Sequence, residues 1–234
     1  MTGTLLVELA APMQAWGDSS RFTQRQTRPE PTKSGVVGLL AAAMGRRRTD
    51  PIEDLARLRF GVRTDQPGRL ERDFQTEIDW RTGKSKALTH RYYLADAKFV
   101  AAVEGPAVLL EALVSALRNP TFSLYLGRRS FPPAGPIRGR IVDSTVQVAL
   151  SEAEWTASTR HRRMQGSTVG LPVVRDAEPG EAIAESVRDF PISFDPAHRQ
   201  YEWRDVVHYT VPVHNPASER PAARLDWLAP LGGS

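Results

Sequence analysis

Apolar residues recur at helical spacing over 34–45, where Val36, Leu39, Leu40, Ala43 and Met44 share one face. Ser34 offers a hydroxyl to a free N–H of the first turn, and Gly45 suits the left-handed position past the last one. The pattern therefore predicts a capped helix over 34–45. Ahead of it, residues 4–10 form an almost unbroken apolar run of strand length, expected to be buried on both faces. Asp50 and Pro51 open a short helix over 51–57. Residues 58–64 alternate as a second strand, and 97–103 return as a third. Pro106 starts a second long helix to about 117, with Val108, Leu109, Ala112, Leu113 and Ala116 inward. A short strand follows at 137–142. Beyond 145 the pattern is unclear except for a long strand over 201–211, and the residues from 216 onward read as irregular.

Between the second and third strands, residues 65–96 are polar and charged yet carry Phe74, Trp80, Tyr92 and Tyr93. An excursion this long in a compact domain usually has a function, and a hairpin with its tip near Thr82-Gly83-Lys84 is expected. The order strand, helix, strand, excursion, strand, helix is a split βαβ pattern with one hairpin lengthened. The expected class is α+β, with a ferredoxin-like (RRM-like) domain over 1–145 and a smaller β-rich C-terminal part over 146–234. The aromatic signature of an RNA-recognition motif is missing from the third strand, so loops rather than an open sheet face are expected to meet any nucleic acid.

Charge sharpens this picture. The 234 residues carry a net charge of +4, but the segment from Asp176 to the end holds ten acids and five bases, a balance of −5 that leaves +9 for residues 1–175. Glu30 is the one acid from Ser19 to Thr49, against Arg21, Arg25, Arg28, Lys33, Arg46, Arg47 and Arg48. No acid lies between Glu111 and Asp143, or between Glu154 and Asp176, while each window carries several arginines. Acid-free, arginine-bearing windows suit a polyanion, and arginine can both fork onto phosphate and stack on bases. The absence of cysteine excludes disulfides and thiolate metal sites. With no signal-like or membrane-spanning segment, a soluble cytoplasmic protein is expected.

Several stretches then stand out for chemistry. Lys33, Ser34 and Gly35 open the first helix, where free amides and the dipole can hold a phosphate, with Arg21 and Arg25 alongside. The glycine spacing of a Walker loop is absent. Trp16, in a polar, glycine-marked loop, reads either as a plug over the core or as a stacking platform. In the excursion, Lys84 and Lys86 alternate with aromatics as in single-strand binding elements. Arg128, Arg129 and Ser130, after Gly127 and before Pro132-Pro133, read either as a backbone clamp or as a turn with solvated arginines. The five histidines show no metal-ligand spacing. His90, near Lys86, Tyr92 and Tyr93, is the best cluster for a metal-independent ribonuclease.

Taken in order, four motif stretches resemble one family: 3–17 with its Pro12-Met13-Gln14-Ala15-Trp16-Gly17, 31–45, Asp73-Phe74-Gln75-Thr76, and Leu126-Gly127-Arg128-Arg129-Ser130. The chain resembles the fifth Cas protein family of the RAMP superfamily, in the form found in type I-E CRISPR Cascade complexes. The match covers 3 to about 140, with weaker similarity near 201–207. The resemblance implies a modified ferredoxin-like fold whose excursion is a long thumb hairpin. It implies a non-catalytic subunit, without cofactor or metal, that binds the 5′ handle of crRNA and caps one end of the complex in antiviral defence. The expected RNA-binding set is Gln14, Trp16, Arg21, Arg25, Lys33, Ser34, Gly35, Lys84, Lys86, Arg128, Arg129 and Ser130. Implied partners are the Cascade backbone subunit and the large PAM-reading subunit, with target DNA nearby through the complex and no membrane. Two other readings stand beside it. One is an endoribonuclease that processes CRISPR precursor RNA, as in a related subtype. The other is a generic basic RNA-binding protein.

Overall fold

The computed structural model describes residues 2–17 and 24–219. It starts with β1 (Thr2–Ala10), whose Leu5, Leu6, Val7 and Leu9 are buried on both faces, as its apolar run requires. Two short strands follow, β2 (Met13–Gln14) and β3 (Gln24–Arg25), and then α1 (Lys33–Ala43). Gly45 takes the expected left-handed conformation past the helix, with φ +79°. The N-cap is Thr32 rather than Ser34. Thr32 has the extended backbone a cap requires, and its Oγ1 accepts from the Gly35 N–H at 3.2 Å, while Ser34 is already helical. Next, α2 (Glu53–Ala56) is shorter than the 51–57 expected. Asp50 does not cap it, because its carboxylate accepts from the Arg47 N–H instead.

The chain continues through β4 (Arg59–Gln66), β5 (Arg69–Gln75), β6 (Thr89–Ala95), β7 (Lys98–Pro106), α3 (Ala107–Arg118) and β8 (Gly139–Val142). Of these, β4, β7, β1 and β8 lie side by side in that order, each antiparallel to its neighbour. After α4 (Val146–Glu152) and α5 (Thr159–Met164), the remaining strands β9 (Thr168–Asp176), β10 (Glu185–Ser193) and β11 (Gln200–His214) extend the same sheet outward from β4. Gly61 to Arg63 of β4 pair with Val173 to Arg175 of β9. The seven-stranded sheet is thus continuous across residue 145.

Both faces of this sheet are covered. On one, α1, α2 and α3 enclose Leu5, Leu9, Leu40, Phe60, Phe99, Leu110 and Leu113. On the other, Val146 and Leu150 of α4 pack on Leu6, Val100, Ala102 and Val173. Gly61 makes room for α4, since a Cβ there would stand 2.6 Å from Val146 and 2.9 Å from Leu150. The fully buried Arg63 holds the helix from below. Its guanidinium donates to the Leu150, Ala153 and Glu154 carbonyls at the C-terminus of α4 and pairs with the equally buried Asp65. A cation at the negative end of a helix, with every donor directed, is a stable way to bury arginine.

The excursion is the hairpin β5–β6, in register from Arg69↔Ala95 to Gln75↔Thr89. Its tip turns at Gly83, φ +66°, and Ile78 bridges Ser85. The other edge of β6 pairs with β2 and β3, which makes a second, small sheet.

Candidate nucleic-acid interface

The loop after β1 is anchored in the interior. Gln14 is fully buried, and its amide donates to the Ala97 carbonyl at 2.8 Å and to the Leu9 carbonyl at 3.3 Å. Its Oε1 accepts from the Trp16 indole at 3.2 Å, and Trp16 is 1 % exposed. A Cβ at Gly35 would lie 2.8 Å from the Trp16 ring, so the glycine lets α1 rest on the indole. Gln14 and Trp16, expected at the RNA surface, are thereby reassigned to the core: Trp16 is the plug, and neither side chain reaches solvent.

The N-terminus of α1 is also occupied from within. The Lys33 N–H donates to Asp189 Oδ2 at 2.7 Å, and Lys33 Nζ pairs with Asp176 at 2.9 Å. Arg204 bridges the same two carboxylates, reaching Asp189 at 2.5 Å and Asp176 at 2.7 Å, and the Phe60 N–H adds a bond to Asp176. Lys33 is 3 % exposed and its ammonium lies 4.9 Å from the Phe190 ring centre. Burial lowers the Lys33 pKa, against the opposing pull of Asp176. Lys33 therefore locks α1 to β9, β10 and β11, a correction to its expected role on phosphate: the carboxylate that the dipole favours is Asp189 itself.

Next to this cluster, cations converge on an open cleft of about 500 Å³. Arg25, Arg91, Arg128, Arg188 and Arg199 line it, with Ser34, Gln26 and Tyr201 and the backbone of Gly17 and Gly127, and no acid. Five separate stretches of chain deliver them. Arg25 and Arg91 face each other across the β3–β6 register. Arg128 follows Gly127, whose φ of +93° and close approach to Ala15 exclude any side chain, since a Cβ would come within 1.7 Å of the Ala15 carbonyl oxygen. The Ala15 N–H donates to the Leu126 carbonyl, and Leu126 and Phe131 close the turn, so Arg128 leaves a fixed backbone.

Among the described residues, Arg25, Arg128, Arg188 and Arg199 form no salt bridge, and Arg91 alone of the five reaches a carboxylate, Glu77 at 3.1 Å. Arg128 donates to the carbonyls of Tyr92 at 2.7 Å and Arg25 at 3.2 Å, and its guanidinium lies 5.5 Å from the Phe131 ring. Burial, together with the neighbouring Arg91 and Arg25, pulls the Arg128 pKa below its usual value. A site where like charges outnumber the acids beside them gains when an anion enters.

A groove continues from this cleft along α1. Ser34, Gly127, Arg199 and Tyr201 line both, and the groove runs past Gly38 and Phe194 to Arg46, Arg47 and Arg48. Among the expected residues, Arg25, Ser34 and Arg128 thus meet in the cleft, and Gly35 borders the groove. Arg129 and Ser130 are exposed on the same turn but do not line the cleft. Lys84 and Lys86 stand exposed on the hairpin tip, beside Trp80 at 85 % exposure, and Arg81 lies over that ring at 5.1 Å. Arg21 falls outside the described residues. Arg91, Arg188 and Arg199 were missed by the sequence reading.

His90 lies on β6 opposite Phe74, and its Nδ1 is buried without a hydrogen-bond partner. Among the described residues no group of three or more His, Cys, Asp or Glu is placed to hold a metal ion, and no helix is long and apolar enough to cross a membrane.

Comparison with known proteins identifies the family of the chain. A family model described as CRISPR-associated protein (Cas_Cas5) matches residues 4–207. The chain is 35 % identical over 157 residues to the CRISPR system Cascade subunit CasD of Escherichia coli (strain K12), which covers 58 % of this chain and 70 % of that protein. A solved structure described as a CRISPR RNA-guided surveillance complex contains a chain 32 % identical, with a TM-score of 0.73, covering 94 % of this chain and 95 % of that one. A crystal structure of a Cas protein is 37 % identical, with a TM-score of 0.68, over 93 % of this chain and 98 % of the other.

Proposed function

The chain belongs to the CRISPR-associated Cas5 family, and on that premise we propose that it is a non-catalytic Cascade subunit that holds the 5′ handle of crRNA in the arginine cleft. The observation that carries the reading is the convergence of Arg25, Arg91, Arg128, Arg188 and Arg199 on one acid-free cleft beside the start of α1. Guanidinium groups fork onto phosphate oxygens, and cations that outnumber their local counter-charges bind a polyanion with release of its counterions. The groove along α1, ending at Arg46, Arg47 and Arg48, gives the strand an exit path with Phe194 and Tyr201 at its wall. The order β4-β7-β1-β8, with helices between β1 and β4 and between β7 and β8, supports a ferredoxin-like unit over 1–145, and β5–β6 is its thumb.

In this reading the hairpin, with Leu70, Phe74, Ile78 and Trp80 exposed, meets the Cascade backbone subunit and wedges against the guide. The end of the filament capped here faces the large PAM-reading subunit. The protein acts by positioning RNA. The test is competition binding of handle RNA against random RNA of equal length, with the purified chain. Preference for the handle, lost with Arg128→Ala together with Arg188→Ala, supports the reading. Equal affinity for both RNAs returns the chain to a generic RNA binder. Cleavage of precursor RNA by the chain alone, abolished by His90→Ala, makes it a ribonuclease.

A further inference from the structure

The stretch Asp73-Phe74-Gln75-Thr76 stands out in the sequence, yet none of it lines the arginine cleft. It leads from β5 into the turn of the hairpin. The ladder between β5 and β6 ends at Gln75↔Thr89, and beyond it the turn closes on itself. The Asp79 N–H donates to the Lys84 carbonyl, the Lys86 N–H donates to the Glu77 carbonyl, and Ile78 bridges Ser85. Residues 77–86 thus form a small unit of their own, joined to the ladder through Thr76 on one side and Ala87 and Leu88 on the other. Its large apolar side chains do not anchor it, since Ile78 and Trp80 are exposed.

Among the described residues, one side-chain hydrogen bond ties this unit to the rest of the chain: Arg91 Nη2 donates to Glu77 Oε1 at 3.1 Å. Arg91 stands on β6, opposite Asp73 of β5 and Arg25 of β3, and lines the arginine cleft. The Asp73 carboxylate accepts from the Phe74 N–H at 2.7 Å instead. The contact of Glu77 with Arg91 is built to be exchanged. It is a single bond, with the Arg91 side chain 24 % exposed and that of Glu77 55 % exposed, and a pair so open to water is weak. The guanidinium also has donors to spare, because its Nε is buried without a partner. A phosphate can take two such donors in a fork.

We infer that Glu77 is a positioning residue for the hairpin turn, acting through Arg91. In the RNA-free chain its carboxylate ties residues 77–86 to Arg91, and a phosphate of the entering strand takes Arg91 away from it. The inference rests on the reading of the cleft as an RNA site. Seating of the handle then releases the turn, with Trp80, Lys84 and Lys86 on it, to meet the guide or the neighbouring subunit. The coupling is reciprocal, so the bond to Glu77 lowers the affinity of the cleft by the same factor by which RNA loosens the turn.

The full chain is titrated with handle RNA as the unsubstituted protein, Glu77→Gln, Arg91→Ala and the double variant. Glu77→Gln is expected to tighten binding roughly two- to fivefold, the worth of one exposed ion pair. The gain should vanish in the Arg91→Ala background, which separates the contact from the general charge of the turn. An equal gain in both backgrounds overturns the inference, and so does unchanged or weaker binding by Glu77→Gln. Either result leaves the cleft reading intact where Arg128→Ala and Arg188→Ala weaken binding. If those two variants bind as the unsubstituted chain does, the cleft reading falls and the inference with it. As a second measurement, a nitroxide is attached at Thr82→Cys, since the chain has no cysteine of its own. Its spectrum in the RNA-free chain should narrow with Glu77→Gln, and to the same extent with Arg91→Ala. An unchanged spectrum shows that the pair does not hold the turn and overturns the inference.

Discussion

The backbone N–H of Lys33 donates a 2.7 Å hydrogen bond to Oδ2 of Asp189, which lies 156 residues away in sequence. The positive end of α1 thus faces a carboxylate of its own chain, and Lys33, Asp176, Asp189 and Arg204 form one alternating cluster with Asp189 and Lys33 nearly excluded from solvent. Breaking a buried ion pair from one side leaves a charge unmatched and costs about 3–5 kcal/mol. Asp189→Ala should cost that much in denaturant-induced unfolding, because it strands the Lys33 N–H and removes two of the three carboxylate bonds of Arg204.

The same cluster sets apart two roles for Lys33. Lys33→Met should leave the slope of RNA affinity against log salt unchanged, since no phosphate contact is lost. A shallower slope would place Lys33 on the RNA after all.

At the cleft, Arg128→Ala and Arg188→Ala should each weaken handle RNA binding by about 1–3 kcal/mol, the range for hydrogen bonds to charged groups, and each should flatten the salt dependence. Filter binding across a salt series checks both. Thermal stability of the free chain should change little with Arg128→Ala, because relief of repulsion from Arg91 and Arg25 offsets the lost bonds to the Tyr92 and Arg25 carbonyls.

Gly127→Ala tests the scaffold under those arginines. With φ at +93° and the Ala15 carbonyl in the path of a Cβ, the substitution should lower stability by more than about 1 kcal/mol and weaken RNA binding with it. Thermal denaturation and binding on one preparation read the two effects together.

Acid titration singles out Glu181. The Arg175 guanidinium, 2.6 Å away, and the Glu178 N–H hold its carboxyl at a pKa of about 2, below the ordinary 4.5. A depressed carboxylate contributes stability that is full above its unfolded pKa and fades as pH falls through the folded one. The contribution should therefore weaken from about pH 4.5 down to about pH 2. Glu181→Gln should flatten the stability profile across that window and leave its shape near pH 7 unchanged, as read by urea unfolding at stepped pH.

Much of this architecture could be read from the chain. The two long helices, the strands β1, β4 and β7 and the hairpin announce themselves through local periodicity, caps and turn glycines. β9 and β10 do not, because Arg175 and Asp189 occupy buried positions in them and Pro172 and Pro191 interrupt their alternation. Local patterns cannot register a buried charge whose partner lies far along the chain. The cleft failed for a similar reason. Arg25 lies in a window with a single acid and Arg128 in one with none, but Arg188 and Arg199 come from the acidic C-terminal segment, where charge counting points away from a polyanion. Only the pairing of β10 with β11, and of β11 with β9, brings them to the start of α1.

That origin of the cleft from residues 25, 91, 128, 188 and 199 has a consequence during synthesis. A ribosome must deliver nearly the whole sheet before the last two arginines can join the first three. The growing chain, although rich in cations from its first fifty residues, cannot assemble the site until β10 and β11 have emerged and paired. The full set of five cations around the cleft is therefore complete only late in synthesis, when Arg188 and Arg199 join the three that emerged earlier.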